Sequence, residues 1–206
     1  MSEADYAQDA DIIAVDEISA VKGLYYIEDI KEDTSDIIRL LDTNIWSPLP
    51  NTTGRLVQHY GYKYNYINKN IREKCAKLPT FLAKFKNILT EVCLQLNLID
   101  EKYDFNQCIV NNYYFNEGIS AHTDVKSYGK VIGCLTVGTG TTVKFTNDEQ
   151  RTYEIYVEPN SMYIMTQDAR YKWCHSIPVR KQDTIDNLII ERGRRISITF
   201  RNVPPL

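Results

Sequence analysis

RISITFR, residues 195–201, sets Ile196, Ile198 and Phe200 at alternate positions with Arg195, Ser197, Thr199 and Arg201 between them. Such period-two alternation marks a strand with one apolar and one polar face. Two arginines on an otherwise neutral inner face demand anions, because a desolvated guanidinium without a partner is costly. One answer is structural, with an arginine bracing an acid of the chain itself. The other is a dicarboxylate ligand, since guanidinium and carboxylate meet in a bidentate, charge-assisted fork.

The strand closes a long β-rich stretch. From Cys108 onward, short runs such as CIVNNYY, KVIGCLTVG, TTVKFTN, TYEIYVE, SMYIMTQ and YKWCHSI are separated by the turn signals NEG, GTG, NDEQ, PNS and DA. Many short strands at this spacing predict a sandwich, jelly roll or barrel. Upstream, DTSDIIRLLDT predicts a short helix with Asp33 or Ser35 as N-cap. LPTFLAKFKNILTEVCLQLNL predicts a longer one that starts near Pro79, buries Phe81, Leu82, Phe85, Ile88, Leu89, Val92 and Leu96, and turns Lys84 and Lys86 to water. The stretch between them, rich in proline, glycine and aromatics, reads as irregular strands and loops with exposed aromatic edges.

A chain of 206 residues suits one domain. Residues 1–42 hold twelve acids and three bases, a balance of −9; with −3 overall, residues 43–206 carry +6. The reading is therefore an acidic N-terminal extension, 1–22, and a basic body, 23–206. Its clusters KYNYINKNIREKCAK and ERGRR could meet phosphates or be solvated surface. The five cysteines are scattered and unpaired as motifs, which predicts reduced thiols. With no apolar run of about eighteen residues and no signal segment, an intracellular protein of cytoplasm or nucleus is expected, without a membrane or an obligate protein partner.

GISAHTDVKSYG raises the question of chemistry. In a strand, His122 and Asp124 project to one side and can aim an imidazole and a carboxylate at one point. His175 lies in another predicted strand, fifty-one residues beyond Asp124. Two histidines and one carboxylate with open positions suit non-haem Fe(II); so short a motif also arises by coincidence, with both histidines structural.

Three stretches in order, NNYYFNEGISAHTD, ARYKWCHSI and RRISITFR, resemble the AlkB-type branch of the Fe(II)- and 2-oxoglutarate-dependent dioxygenases, from about Leu24 to the C-terminus. The resemblance implies a mainly β fold with flanking helices, a double-stranded β-helix or jelly-roll core. It implies His122, Asp124 and His175 as ligands of Fe(II), with 2-oxoglutarate as cosubstrate and O2 as oxidant. Asn111 and Tyr113 would hydrogen-bond 2-oxoglutarate, Arg195 would pair with its distal carboxylate, and Arg201 would sit near its metal-bound end. Ser197 falls where a small polar contact is common.

RLVQHYGYKYNY is similar to a stretch of the oxygenase domain of tRNA wobble-uridine hydroxylases, which join that domain to further modules. The stretch 59–66 could stack an exposed base, with His59, Tyr60 and Tyr62 lining the pocket; His59 could equally be a hydrogen-bonded loop residue. Lys126 stands where repair demethylases place a base-contacting acid, and Gln167 where relatives usually have glycine. The implied substrate is a modified nucleobase in RNA, tRNA included, or in single-stranded DNA, dealkylated or hydroxylated. A protein side chain or small metabolite is the alternative substrate, and a silent binding module the alternative class.

Overall fold

A computed structural model describes residues 13–49, 54–69, 71 and 73–205. The first twelve residues of the acidic extension, and Asn70 and Arg72 of the basic cluster, lie outside the described residues. In chain order the elements begin with β1 (Asp16–Glu17), β2 (Leu24–Ile27), α1 (Ile37–Leu41), β3 (Ser47–Pro48), β4 (Leu56–Tyr60), β5 (Tyr62–Lys63), β6 (Glu73–Lys74) and α2 (Thr80–Gln95). They continue with β7 (Gln107–Tyr113), β8 (Ile119–His122), β9 (Ile132–Gly138), β10 (Thr141–Asn147), β11 (Thr152–Val157) and β12 (Met162–Met165). The last are α3 (Gln167–Tyr171), β13 (Trp173–Ile177), β14 (Gln182–Ile185), β15 (Leu188–Glu191) and β16 (Arg195–Arg201).

Two antiparallel sheets carry the fold. The larger runs β1-β2-β12-β9-β16-β7-β4-β3 and the smaller β11-β10-β13-β8. β16 lies between β7 and β9, so both of its edges are hydrogen-bonded. Ile196, Ile198 and Phe200 join Leu82, Phe85 and Leu89 of α2 in one core. The other face of the large sheet meets the small one, where Phe145, Val143, Tyr163 and Trp173 form a second core. The alternation of β16 thus separates a helix-covered core from the interior between sheets. Gly133 of β9 lets α2 come close, because a Cβ there would run into the Leu89 side chain.

Several expectations are corrected. The N-cap of α1 is Asp36, without a side-chain cap bond; Asp33 instead accepts from the Ser35 amide at 2.8 Å and its hydroxyl at 3.0 Å. Lys84 and Lys86 are only half-exposed, and each reaches an acid: Glu32 at 2.9 Å and Asp104 at 3.1 Å. Order begins before residue 23, since Asp16 pairs with Tyr26 and Val21 is fully buried. The stretch read as irregular strands and loops contributes β4, a regular strand that extends the large sheet beside β7. Gln167 adopts φ +48°, a left-handed backbone that suits glycine, which explains why glycine is common there. All five cysteines are free thiols. Among the described residues no helix is long and apolar enough to cross a membrane.

Candidate active site

The pairing of β8 with β13 sets His122 directly opposite His175, with a register shift between His175 and Ile177. Their imidazole centroids are 4.3 Å apart. β8 ends at His122, so Asp124 is not delivered by strand alternation but by the loop that follows. What aims it is Arg201, whose Nε donates to Oδ1 at 2.8 Å and whose Nη2 forms an ion pair with the same oxygen at 2.8 Å. The other oxygen, Oδ2, is buried, has no hydrogen-bond partner and stands 3.6 Å from His175 Nε2.

The protonation states follow from the surroundings. Burial is the largest single influence and would raise the Asp124 carboxyl, but Arg201, His175, His122 and Arg170 together outweigh it and hold the group at about 2. Burial, helped by the neighbouring His122, pushes the His175 imidazole down to about 3, so it is neutral at pH 7. His122 Nδ1 lies 2.8 Å from the Ser120 carbonyl; a carbonyl only accepts, so Nδ1 carries a proton, which leaves Nε2 as the nitrogen that can meet a metal.

The set therefore consists of a partnerless anionic oxygen beside two imidazoles, of which the buried His175 is neutral. A buried carboxylate oxygen without a partner is costly unless a cation meets it. Its 3.6 Å separation from His175 Nε2 is too long for a hydrogen bond and is spanned by two metal–ligand distances of roughly 2.0–2.2 Å. Two nitrogens and one carboxylate with open positions fit Fe(II).

On the same face of β16, Arg195 is buried and lies across from Tyr113, while Ser197 lies across from Asn111. Arg195 Nη2 donates to the Thr136 hydroxyl at 3.0 Å, and its Nε and Nη1 have no partner. Its guanidinium stands 5.6 Å from the centroid of the Tyr113 ring. A buried cation with two idle donor atoms fits one carboxylate of a diacid. Beside the histidines lies a cavity of about 50 Å³ lined by Asn111, Tyr113, Tyr163, Ser197 and Thr199, while Arg195 lines a smaller neighbouring cavity that shares Tyr113. Ser197 Oγ is 3.0 Å from Cys134 Sγ. For Arg201 the two readings of the sequence meet in one side chain: two nitrogens brace Asp124, and Nη1 has no partner while the residue lines this cavity.

A larger cavity of about 230 Å³ opens on the other side of Asp124 and His122, with Tyr64, Tyr66, Tyr128 and Arg55 in its wall. This wall differs from the sequence expectation. Tyr60 points to the opposite face of β4, into the core under the helices, where its hydroxyl donates to Gln58 Oε1 at 2.8 Å. Tyr62 packs half-buried against Ile71, Tyr128 and Val203, and Lys126 is exposed; neither is in the wall. His59 sits one layer behind it, 3.4 Å from the Tyr66 hydroxyl, with burial pushing the imidazole down to about 4.

Tyr64 and Tyr66 do belong to the aromatic stretch 59–66. The chain turns at Gly61, φ +76°, where a Cβ would collide with the Asn106 carbonyl, and beyond it strand parity no longer tells which ring faces inward. Tyr128, four residues past Asp124, and Arg170, inside the quoted ARYKWCHSI stretch, were visible in the sequence, but no spacing rule assigned them.

Residues 40–201 match the family model of the 2OG-Fe(II) oxygenase superfamily. Protein L905 of Acanthamoeba polyphaga mimivirus is 40% identical over 144 residues, covering 68% of either chain. The tRNA (carboxymethyluridine(34)-5-O)-methyltransferase ALKBH8 of Mus musculus is 31% identical over 166 residues, 72% of this chain. The match takes in 24% of ALKBH8, so this chain corresponds to about a quarter of that relative. Among solved structures, OsALKBH1 superposes with a TM-score of 0.66 at 16% identity, over 87% of this chain and 96% of its own, which supports the jelly-roll fold. The chain belongs to the 2OG-Fe(II) oxygenase superfamily, as an AlkB-like dioxygenase of a family that uses Fe(II), 2-oxoglutarate and O2.

Proposed function

We propose that this chain oxidises a modified nucleobase in looped or single-stranded nucleic acid, with His122, Asp124 and His175 holding Fe(II). The observation that carries the reading is the partnerless Oδ2 of Asp124 beside the imidazoles of His122 and His175, at a cavity walled by three tyrosines. Arg195, with Asn111, Tyr113 and Ser197, holds 2-oxoglutarate by its distal carboxylate. When bound, iron, cosubstrate and O2 supply C–H oxidation, with 2-oxoglutarate converted to succinate and CO2. The protein's own tasks are to fix Asp124 through Arg201 and to present the target carbon.

Aromatic rings offer a stacking surface to any base, and Tyr64 and Tyr66 meet edge to face with centroids 4.8 Å apart. A base inside a duplex has to leave the stack before it can reach such a cavity, which favours loops and single strands. Exposed Lys69, Lys74 and Lys77 lie along the segment that leads from these tyrosines and could meet phosphates. ALKBH8 of Mus musculus is named for a tRNA uridine at position 34. A tRNA carrying a modified uridine there is accordingly the first substrate to try.

The test incubates iron-loaded protein with modified tRNA and oligonucleotides and reads products by mass spectrometry. Formaldehyde with loss of a methyl mass means dealkylation, and a gain of one oxygen means stable hydroxylation. Succinate without either result would move the substrate to a protein side chain or small metabolite. No succinate under any condition would mean a silent binding module.

A further inference from the structure

Arg170 is the largest fully buried side chain of the chain's described residues, yet none of its contacts is a carboxylate oxygen. It projects from α3. Its Nη1 donates to the Asp124 carbonyl at 2.9 Å, Nη2 to the Val125 carbonyl at 2.7 Å, and Nε to the Gly129 carbonyl at 3.4 Å. The guanidinium rests 4.8 Å from the centroid of the Tyr171 ring. Its hydrogen bonds go only to neutral carbonyls, with the Asp124 carboxylate acting on it without a direct bond, which is a poor exchange for stability alone. The loop it grips explains the choice. Residues 124–129 carry Asp124 at one end and bring Tyr128 into the wall of the larger cavity near the other.

α3 also runs straight into β13, which carries His175. One short segment thus supplies one proposed metal ligand and clamps the loop that supplies another. Asp124 is held twice, by its side-chain Oδ1 through Arg201 and by its main-chain oxygen through Arg170. With both ends fixed, Oδ2 has one direction left. Because β8 stops at His122, no strand ladder does this work for Asp124.

We propose that Arg170 is a positioning residue for the metal site: it sets the carboxylate of Asp124 against His175 by gripping the backbone of residues 124–129, and through the same loop sets Tyr128 in the cavity wall. The proposal rests on the assignment of Asp124 and His175 as ligands. Conformational freedom returned to the loop would then reduce metal affinity in the folded protein, as loss of outer partners commonly does by roughly 10- to 100-fold.

The experiment measures Mn(II) binding to the metal-free protein by electron paramagnetic resonance of the free ion, beside thermal melting and circular dichroism. Arg170→Lys keeps the charge but not the three-way fork, and a 10- to 100-fold loss of Mn(II) affinity in folded protein is expected. Tyr171→Ala removes only the half-exposed ring beneath the guanidinium and leaves every hydrogen bond; a smaller loss, roughly two- to five-fold, is expected. Unchanged affinity in any variant that folds, with only its melting temperature lowered, overturns the proposal and leaves Arg170 a plain loop anchor. Should Arg170→Lys fail to fold, Tyr171→Ala alone decides. Asp124→Asn separates the two failures: intact Mn(II) binding in that variant defeats the ligand assignment itself, whatever Arg170 does.

Discussion

His175 sits in the middle of β13 and Arg195 and Arg201 at the two ends of β16, each held in a hydrogen-bonded ladder, whereas Tyr64, Tyr66 and Tyr128 reach the neighbouring cavity from loops. The first group faces the iron and cosubstrate of the proposed reaction, and the second faces its substrate. Ladders fix a side chain to one of two faces and to one partner across the strand. Loops fix it through side-chain contacts, here Tyr64 on Tyr66 and Tyr66 on His59, or through a side chain that holds the loop backbone, as Arg170 does for residues 124–129. The contrast teaches that one half of the site is built for invariance and the other for adjustment, in keeping with chemistry that stays constant while targets vary.

If the contrast is right, changes on the ladders should damage the chemistry itself. His122→Ala has the largest expected effect: succinate formation coupled to substrate oxidation drops below detection, while the melting temperature barely moves because the residue is half-exposed. Arg195→Ala comes next. Losing the partner of a buried carboxylate costs about 3 kcal/mol, roughly a hundred-fold rise in KM for 2-oxoglutarate, measured by succinate release. An unchanged KM would remove Arg195 from the cosubstrate site.

Changes in the loop wall should instead touch the substrate alone. Tyr66→Ala is expected to raise the KM for nucleic acid by about tenfold, from the 1–3 kcal/mol typical of a stacked base, and to spare substrate-free turnover of 2-oxoglutarate. Tyr60→Ala sharpens the comparison, since its ring lies in the core under the helices. It should cost about 3–5 kcal/mol of stability in a denaturant titration and reduce both activities together. Lys126→Ala has the smallest effect: exposed and off the wall, it should change turnover and stability by no more than about 0.5 kcal/mol. A specific loss of substrate use there would return Lys126 to the site.

The ladder half was legible because period two is local. From Arg195, Ser197, Thr199 and Arg201 alone, the polar face of β16 was evident, and so was its need for anions. His122 and His175 were nominated by residue type, and the register of β8 on β13 sets them opposite each other. Alternation does not reach Asp124, since the strand ends two positions earlier. The loop half was legible only as a region. Stretch 59–66 was marked as aromatic, but Tyr60 follows β4 into the helix-side core while Tyr64 and Tyr66, past the Gly61 turn, face the cavity.

By itself, the sequence determined the strand-rich architecture, the two faces of its last strand, and the residue types from which a metal and diacid site can be made. These follow from alternation and from the cost of burying a lone charge, both of which act over a few residues. The tertiary structure decided which arginine braces Asp124, which oxygen is left free, which tyrosines form the wall, and that Arg170 grips the backbone of residues 124–129. Each of these joins segments tens of residues apart, and a buried hydrogen bond of that kind is chosen by how the sheets pack, not by the spacing of residues along the chain.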